Sequence, residues 1–263
     1  MLESSEFGPL LEVRNLSIQF GGLKAVSGFN LALNDGELVG LIGPNGAGKT
    51  TVFNMLTGLY KPGTGEIIFR GHNLIGQPAH KYAAAGIART FQNIRLFGNL
   101  TAVDNIKIAQ HLNVRYGMLG ALWRPKRVVE EEARIQENAM DLLRKMGLAD
   151  VADQLARNLP YGVQRRLEIA RALASSPRLL LLDEPAAGMN PLEVDELADL
   201  IQWIRREFGV TILLIEHHMR LVMRICERIK VLDFGETIAE GTPDEVKTDP
   251  RVVEAYLGKG GKV

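Results

Sequence analysis

Apolar residues recur along this chain with two periods, and the switches between them lay out its elements. Leu11, Val13, Leu16, Ile18 and Phe20 are two or three residues apart and run into Gly21-Gly22, while Phe29, Leu31 and Leu33 alternate before Asn34-Asp35-Gly36. That spacing predicts two half-buried strands around a tight turn, an antiparallel layer at the start of the chain. Leu38 to Ile42 is a short apolar strand, and Thr51 to Leu56 reads as a helix. Lys61-Pro62-Gly63-Thr64-Gly65 predicts a turn before a strand at Glu66 to Gly71. From about Asn99 to Leu173 the pattern turns helical. There Thr101 to Asp104 resembles a capping box, and Val128 to Met146 forms a long amphipathic helix closed by Gly147. Strand, turn and helix recur at Leu179 to Asp183, Leu192 to Phe208 and Val210 to Ile215, which implies parallel strands joined by helices. Thr242-Pro243-Asp244-Glu245 and Asp249-Pro250 each set a capping residue before a proline, predicting a small helical tail that ends at Gly258.

Between the apolar strand and the first helix lies Gly43-Pro44-Asn45-Gly46-Ala47-Gly48-Lys49-Thr50, which fits the phosphate-binding pattern G-x-x-x-x-G-K-[ST]. The glycines let backbone N–H groups curl round a polyphosphate at a helix N-terminus. Lys49 reaches the terminal phosphates, and the Thr50 hydroxyl can take a place on Mg²⁺. A nucleoside triphosphate is the expected ligand, with Thr51 continuing the cradle. A second chemical pattern is the run Leu179 to Leu182 followed by Asp183 and Glu184, an apolar strand delivering two carboxylates at its C-terminal end, where ligands of parallel sheets gather. Asp183 is placed to hold Mg²⁺ and Glu184 to polarise a water that attacks the γ-phosphate. Taken alone, the pair reads first as a strand ending in a solvated acidic turn; beside the phosphate loop that becomes the minor reading.

Composition narrows the class. The 263 residues carry 31 basic and 31 acidic side chains, a balance that supplies no field for nucleic acid or an anionic bilayer. The single cysteine, Cys226, rules out an internal disulfide and suits a reducing cytosol. Met1 to Gly8 has no basic region leading into an apolar run, which reads against a cleaved signal, and the apolar runs fall well short of the roughly 20 residues a membrane helix needs. A cytosolic protein is expected.

The order of motifs resembles the ABC-type ATPases over nearly the whole chain. It comprises the loop Gly43 to Thr50, a Q-loop at Arg89-Thr90-Phe91-Gln92, a signature-like Leu159 to Gln164, the acidic pair Asp183 and Glu184, and His217 as a switch histidine. Ile87 to Gln92, Gln164 to Arg171, Ile215-Glu216-His217 and Ala255-Tyr256-Leu257-Gly258 are similar to the LivG-type ATPases of branched-chain amino acid importers. The resemblance implies an α/β fold, a P-loop NTPase (RecA-like) core with an antiparallel β layer and an inserted α-helical subdomain. Its expected divisions are 9–91 and 176–241 for the two halves of the core, 92–175 for the helical subdomain and 242–263 for the tail.

Roles follow from the same resemblance. Glu184, His217 and Gln92 would act on the attacking water and γ-phosphate, and Thr50, Gln92 and Asp183 would surround Mg²⁺. Phe20 falls where the family stacks an aromatic ring on adenine, and its alternative is a strand residue facing the core. His218, beside His217, is expected to point to the other side as a surface residue, and the pair is not read as a metal site. Gly162 and Gln164 belong to the loop that caps the γ-phosphate held by a second ATPase subunit.

Two departures bear on that partnership. The signature carries Pro160, without a hydroxyl or N–H, and Asn190 stands where the family has a D-loop aspartate. Both favour a non-identical second ATPase over a homodimer. The remaining partners implied are transmembrane permease subunits, with the membrane reached only through them on its inner face, and no nucleic acid. Tyr116 to Trp123 is expected to pack in the core or against a partner helix and not against lipid, and the resemblance makes exposed residues near Leu96, Phe97 and Met118 the candidates to receive a coupling helix of the membrane subunit. An ATPase of another ABC system, for urea or amide import, lipopolysaccharide export or iron–sulfur assembly, is the alternative.

Overall fold

The computed structural model describes residues 8–110 and 126–257, so the segment Tyr116 to Trp123 and the helix end at Gly258 lie outside the described residues. Thr90–Pro177 forms one compact unit, and the described residues before and after it form another.

In the flanking unit, β1 (Leu11–Phe20) and β2 (Leu23–Leu33) make the expected antiparallel pair, with Leu11 opposite Leu33 and Phe20 opposite Leu23. The three-residue step from Val13 to Leu16 is a bulge. Asn15 takes φ 48° and the register shifts there, returning Leu16 to the buried face. β4 (Thr64–Phe69) pairs on the other side of β1, and β5 (His72–Asn73) completes the order β2-β1-β4-β5.

The second sheet has β3 (Leu38–Ile42), β6 (Ile87–Arg89), β7 (Leu179–Asp183), β8 (Thr211–Ile215), β9 (Arg228–Asp233) and β10 (Glu236–Gly241) in the order β10-β9-β3-β8-β7-β6. Every pair is parallel except the β9–β10 hairpin. β3, β7 and β8 are buried at every residue, which is why they read as near-continuous apolar runs, broken only by Thr211 at the start of β8 and Asp183 at the end of β7. Helix α1 (Lys49–Leu56) contributes Val52, Phe53, Met55 and Leu56 to a single buried cluster that also takes Leu11, Leu33 and Phe69 from the first sheet and Leu41, Leu181 and Leu213 from the second. Register decides where chemistry can assemble. Leu41 of β3 pairs with Ile215 of β8, and Ile215 with Asp183 of β7, so the loops after all three strands open at one edge.

Helices α2 (Ala79–Ala85), α6 (Pro191–Phe208), α7 (Met219–Ile225), α8 (Pro243–Thr248) and α9 (Pro250–Leu257) belong to the same unit. Thr242 and Glu245 close a capping box on α8, as the Thr-Pro-x-Glu order predicts. Asn190 and Glu193 close another on α6.

The unit Thr90–Pro177 carries α3 (Ala102–Gln110), α4 (Lys126–Lys145) and α5 (Tyr161–Leu173). Thr101 caps α3, its hydroxyl accepting from the Asp104 N–H at 3.2 Å and donating to Asp104 Oδ2 at 2.6 Å. Gly147, at φ 67°, ends the α4 segment while the Leu148 N–H bonds back to the Leu143 carbonyl. Arg165 on α5 is fully buried. Its guanidinium donates to Glu168 Oε2 at 2.8 Å and to the carbonyls of Phe91 and Gln92, both at 2.7 Å, and Glu168 Oε1 accepts from the Arg95 N–H at 3.0 Å. One buried ion pair therefore holds the backbone of Phe91 to Arg95 against α5.

Removing one member of such a pair strands the other charge without solvent. Arg165→Leu should lower the stability of this unit by about 3–5 kcal/mol, and Arg165→Met with Glu168→Leu should cost clearly less. Urea unfolding followed by circular dichroism measures both; equal losses in the single and double variants would refute the pairing.

Candidate active site

The loop after β3 owes its shape to two glycines. Gly43 takes φ 150°, and a β-carbon there would lie 2.0 Å from the Leu232 carbonyl oxygen; Gly48 takes φ 102°, with the Ala25 carbonyl oxygen 2.6 Å from the same position. Any side chain would collide with backbone at both. The chain thereby turns sharply into α1, whose N-terminus has no side-chain cap and no acidic residue in its first turn. Its first N–H groups and positive dipole end remain for an anion. The Lys49 ammonium folds over the loop, donating to the carbonyls of Gly43 at 2.7 Å and Pro44 at 2.9 Å. Burial lowers the pKa of this lysine, and the charges of Glu184 and Asp183 act in the opposite direction. A phosphate oxygen is a stronger acceptor than either carbonyl.

A cleft of about 430 Å³ opens over this loop, lined by Asn45, Gly46, Ala47, Gly48, Lys49, Thr50 and Thr51, with Lys24, Ala25 and Glu184. Phe20, Leu23 and Phe234 give it an apolar wall. Phe20 is 46% exposed and meets Tyr60 edge-on at 5.3 Å, so the core-facing alternative for this residue is removed.

Asp183 ends β7 almost without solvent, 3% exposed, with Oδ2 2.6 Å from Arg89 of β6. Arg89 in turn donates to Asn54 of α1 at 2.7 Å, tying the acidic strand to the phosphate-loop helix. Glu184, one residue on, takes φ 45°. A left-handed glutamate costs about 1–2 kcal/mol, the kind of strain that surrounding structure must hold in place. Its N–H bonds the Ile215 carbonyl, and its carboxylate lies 3.6 Å from His217 Nδ1. The fully buried Glu216 holds these two loops together. Its Oε1 accepts from the Ala186 N–H at 2.8 Å, and its Oε2 from the N–H groups of His217 and His218 at 3.0 and 3.1 Å. Thr50 and Asp183 present hard oxygen donors of the kind Mg²⁺ selects.

Arg89, Asn54, Glu216 and Phe234 were given no separate role by sequence reasoning. A charged residue at the end of a fully apolar strand is the signal that could have found Arg89 and Glu216, since burial there obliges a partner. The expectation that His217 and His218 point to different sides is corrected: their rings lie 4.6 Å apart at 35°. β8 ends at Ile215, so strand alternation does not reach them.

Gln92, Gly162 and Gln164 belong to the unit Thr90–Pro177 and are placed within it. Gln92 is exposed, with its carbonyl on Arg165. Gly162 and Gln164 sit in the first turn of α5, which starts after Pro160 without a side-chain cap, and the Gln164 amide donates back to the Leu159 carbonyl at 2.7 Å. A β-carbon on Gly162 would meet nothing within 4 Å. Asn190 is spent locally, its oxygen accepting from the N–H groups of Leu192 and Glu193. Asparagine caps a helix about as well as aspartate, so this departure weakens nothing in α6.

A family model described as ABC transporter matches residues 26–187. The chain belongs to the ABC transporter ATP-binding family. A second model, described as branched-chain amino acid ATP-binding cassette transporter, matches residues 236–262. The chain is 48% identical over 251 residues to BraF of Pseudomonas aeruginosa, a high-affinity branched-chain amino acid transport ATP-binding protein, covering 95% of this chain and 98% of BraF. LivG of Escherichia coli, which carries the same description, is 47% identical over the same shares. LptB of Haemophilus influenzae, a lipopolysaccharide export system ATP-binding protein, is 35% identical over 97% of this chain and 99% of LptB. Among solved structures, a nucleotide-free ATP-binding cassette from an ABC transporter superposes with TM-score 0.81, at 30% identity over 95% of this chain and 99% of that one. A cassette in its ADP conformation gives 0.82 at 30% identity and the same coverage. This ABC subunit is an ATPase, and its phosphate-loop pattern, acidic pair and His217 gather at one sheet edge.

With Glu184 poised beside His217 and Asp183 occupied by Arg89, Glu184→Gln should slow ATP hydrolysis by about 10²- to 10⁴-fold and leave ATP affinity nearly intact. Lys49→Ala should instead weaken binding. Single-turnover hydrolysis together with equilibrium nucleotide binding separates the two effects, and normal turnover by Glu184→Gln would remove that residue from the base role. Phe20→Ala should cost about 1–3 kcal/mol of ATP affinity, with Phe20→Trp close to neutral. Calorimetric titration decides, since a purely structural Phe20 would change thermal stability without changing affinity.

Proposed function

We propose that this ABC ATPase powers import of branched-chain amino acids through a membrane permease. The observation that carries the reading is the second family match: residues 236–262, outside the nucleotide loop and the acidic pair, fit a model specific to branched-chain amino acid cassettes. The higher identity to BraF and LivG than to LptB supports it against the export alternative.

In this reading Thr50 and Asp183 would hold Mg²⁺, with Gln92 the further ligand that the resemblance implies, and the ion would supply charge neutralisation on the β- and γ-phosphates. Glu184 orients and deprotonates the attacking water, and His217 holds Glu184 and donates to the γ-phosphate. No helix among the described residues is long and apolar enough to cross a membrane. The chain works on the inner face of the cell membrane, docked to permease subunits that carry the solute path. Leu96 and Phe97 are the candidates for that contact. Phe97 is 48% exposed, on a segment held by its N–H bond to Asn105 and by Arg171 over its ring. Met118, the third candidate, lies outside the described residues.

The second ATPase is a related, non-identical chain. Asn190 no longer argues for this, since its oxygen serves the α6 cap. Pro160 does, because it offers neither hydroxyl nor N–H at the start of α5. The isolated chain should hydrolyse ATP slowly. Rates should rise when it is joined to its permease and second ATPase and given a binding protein loaded with leucine, isoleucine or valine. ATPase rate against protein concentration, alone and in that complex, is the measurement. A rate from the chain alone that grows with the square of its concentration would overturn the non-identical pairing, and a complex indifferent to all three amino acids would overturn the cargo.

A further inference from the structure

The hairpin turn between β9 and β10 breaks the chemistry its own geometry demands. Asp233 pairs with Glu236, and the two residues between them, Phe234 and Gly235, take φ 43° and 81°. A two-residue turn with both φ values positive favours asparagine, aspartate or glycine at its first position. Phenylalanine there carries backbone strain. Burial offers no compensation, because Phe234 is 87% exposed.

What the ring does face is the nucleotide cleft, whose wall it shares with Phe20 and Leu23, the latter 71% exposed. The turn beneath it is fixed to the phosphate loop. The Gly235 N–H donates to the Ala47 carbonyl at 3.0 Å and the Gly235 carbonyl accepts from the Ser27 N–H at 2.9 Å, while a β-carbon on Gly235 would lie 2.7 Å from the Ala25 carbonyl oxygen. A strained, solvent-facing aromatic on a rigid mount beside the phosphate loop is the arrangement of a ligand contact.

We propose that Phe234 is a nucleotide-binding residue whose ring packs against the nucleoside part of ATP, giving the cleft a second aromatic wall besides Phe20. The inference rests on this cleft being the ATP site. A phenyl ring offers a polyphosphate neither a formal charge nor a hydrogen-bond donor, so its contribution belongs to base or ribose.

The test is Phe234→Asn in the full chain, because asparagine suits the turn while removing the ring. Calorimetric titration with ATP and with inorganic tripolyphosphate reads affinity, and thermal unfolding without nucleotide reads the turn. The variant should unfold at the same or a higher temperature and bind ATP about five- to fiftyfold more weakly. Its affinity for tripolyphosphate should stay within roughly twofold. Phe234→Trp should retain ATP affinity. Unchanged ATP affinity in Phe234→Asn overturns the proposal, as does an equal loss for tripolyphosphate, which would mean a distorted loop. Lys49→Ala is the control for the site itself: loss of both ligands upholds the cleft as the ATP site, and retained ATP binding overturns that reading and this one with it.

Discussion

The alignment of Leu41, Ile215 and Asp183 across β3, β8 and β7 is the constraint on which the rest of the molecule depends. These three strands are buried along their whole length, and their loops leave the core together at one edge. The phosphate loop, the acidic pair and the histidine loop consequently emerge side by side. A slip of one residue in β7 would turn Asp183 to the opposite face of the sheet and part it from Arg89. Burial of the sheet thus specifies the site before any polar contact is made.

Once gathered, the charged groups are held by one another. Lys49, Asp183 and Glu216 are all buried, and each has a defined partner: loop carbonyls for the lysine, Arg89 for the aspartate, and the N–H groups of Ala186, His217 and His218 for the glutamate. In a medium of low effective dielectric such pairings are stiff, because a displaced charge has no water to turn to. Glu216 is the clearest case. It makes no approach to the cleft lining, yet it spans the loops after β7 and β8 and so holds Glu184 near His217. Among the described residues with positive φ other than glycine, Glu184 and Phe234 line the cleft, while Asn15, Arg70 and Ser176 lie outside its lining.

Legibility in the sequence tracked the range of the interactions. The caps at Thr101 and Thr242 and the strand–loop–helix of Leu38 to Leu56 depend on neighbours within a few residues, and their spacing showed them; the bulge at Asn15 was not read from the sequence. The antiparallel layer, the parallel strands and the ABC cassette fold were readable for the same reason. Arg89 was quoted only as part of a motif, because its partner Asp183 lies 94 residues away. Nothing local announces that pairing. The stretch Arg228 to Gly241 went unassigned, although Asp233-Phe234-Gly235-Glu236 has the length of a hairpin turn, because phenylalanine masks the usual Asn-Gly cue. His218 failed for the opposite reason: a strand rule was carried beyond the strand's last residue.

Arg89 also stands at the one place where the chain passes from the flanking unit into Thr90–Pro177. Its guanidinium is committed to Asp183 and Asn54, and it ends β6. Thr90, the next residue, is fully buried, and Phe91 and Gln92 after it have their carbonyls on Arg165, whose own charge is matched by Glu168. The connection therefore begins at one buried ion pair and ends at another, with a single buried residue between. Any cation that draws on the Asp183 carboxylate competes with Arg89, and Arg89 is covalently next to Thr90. The acid that would serve the metal and the backbone that leads to Gln92 are linked through one guanidinium.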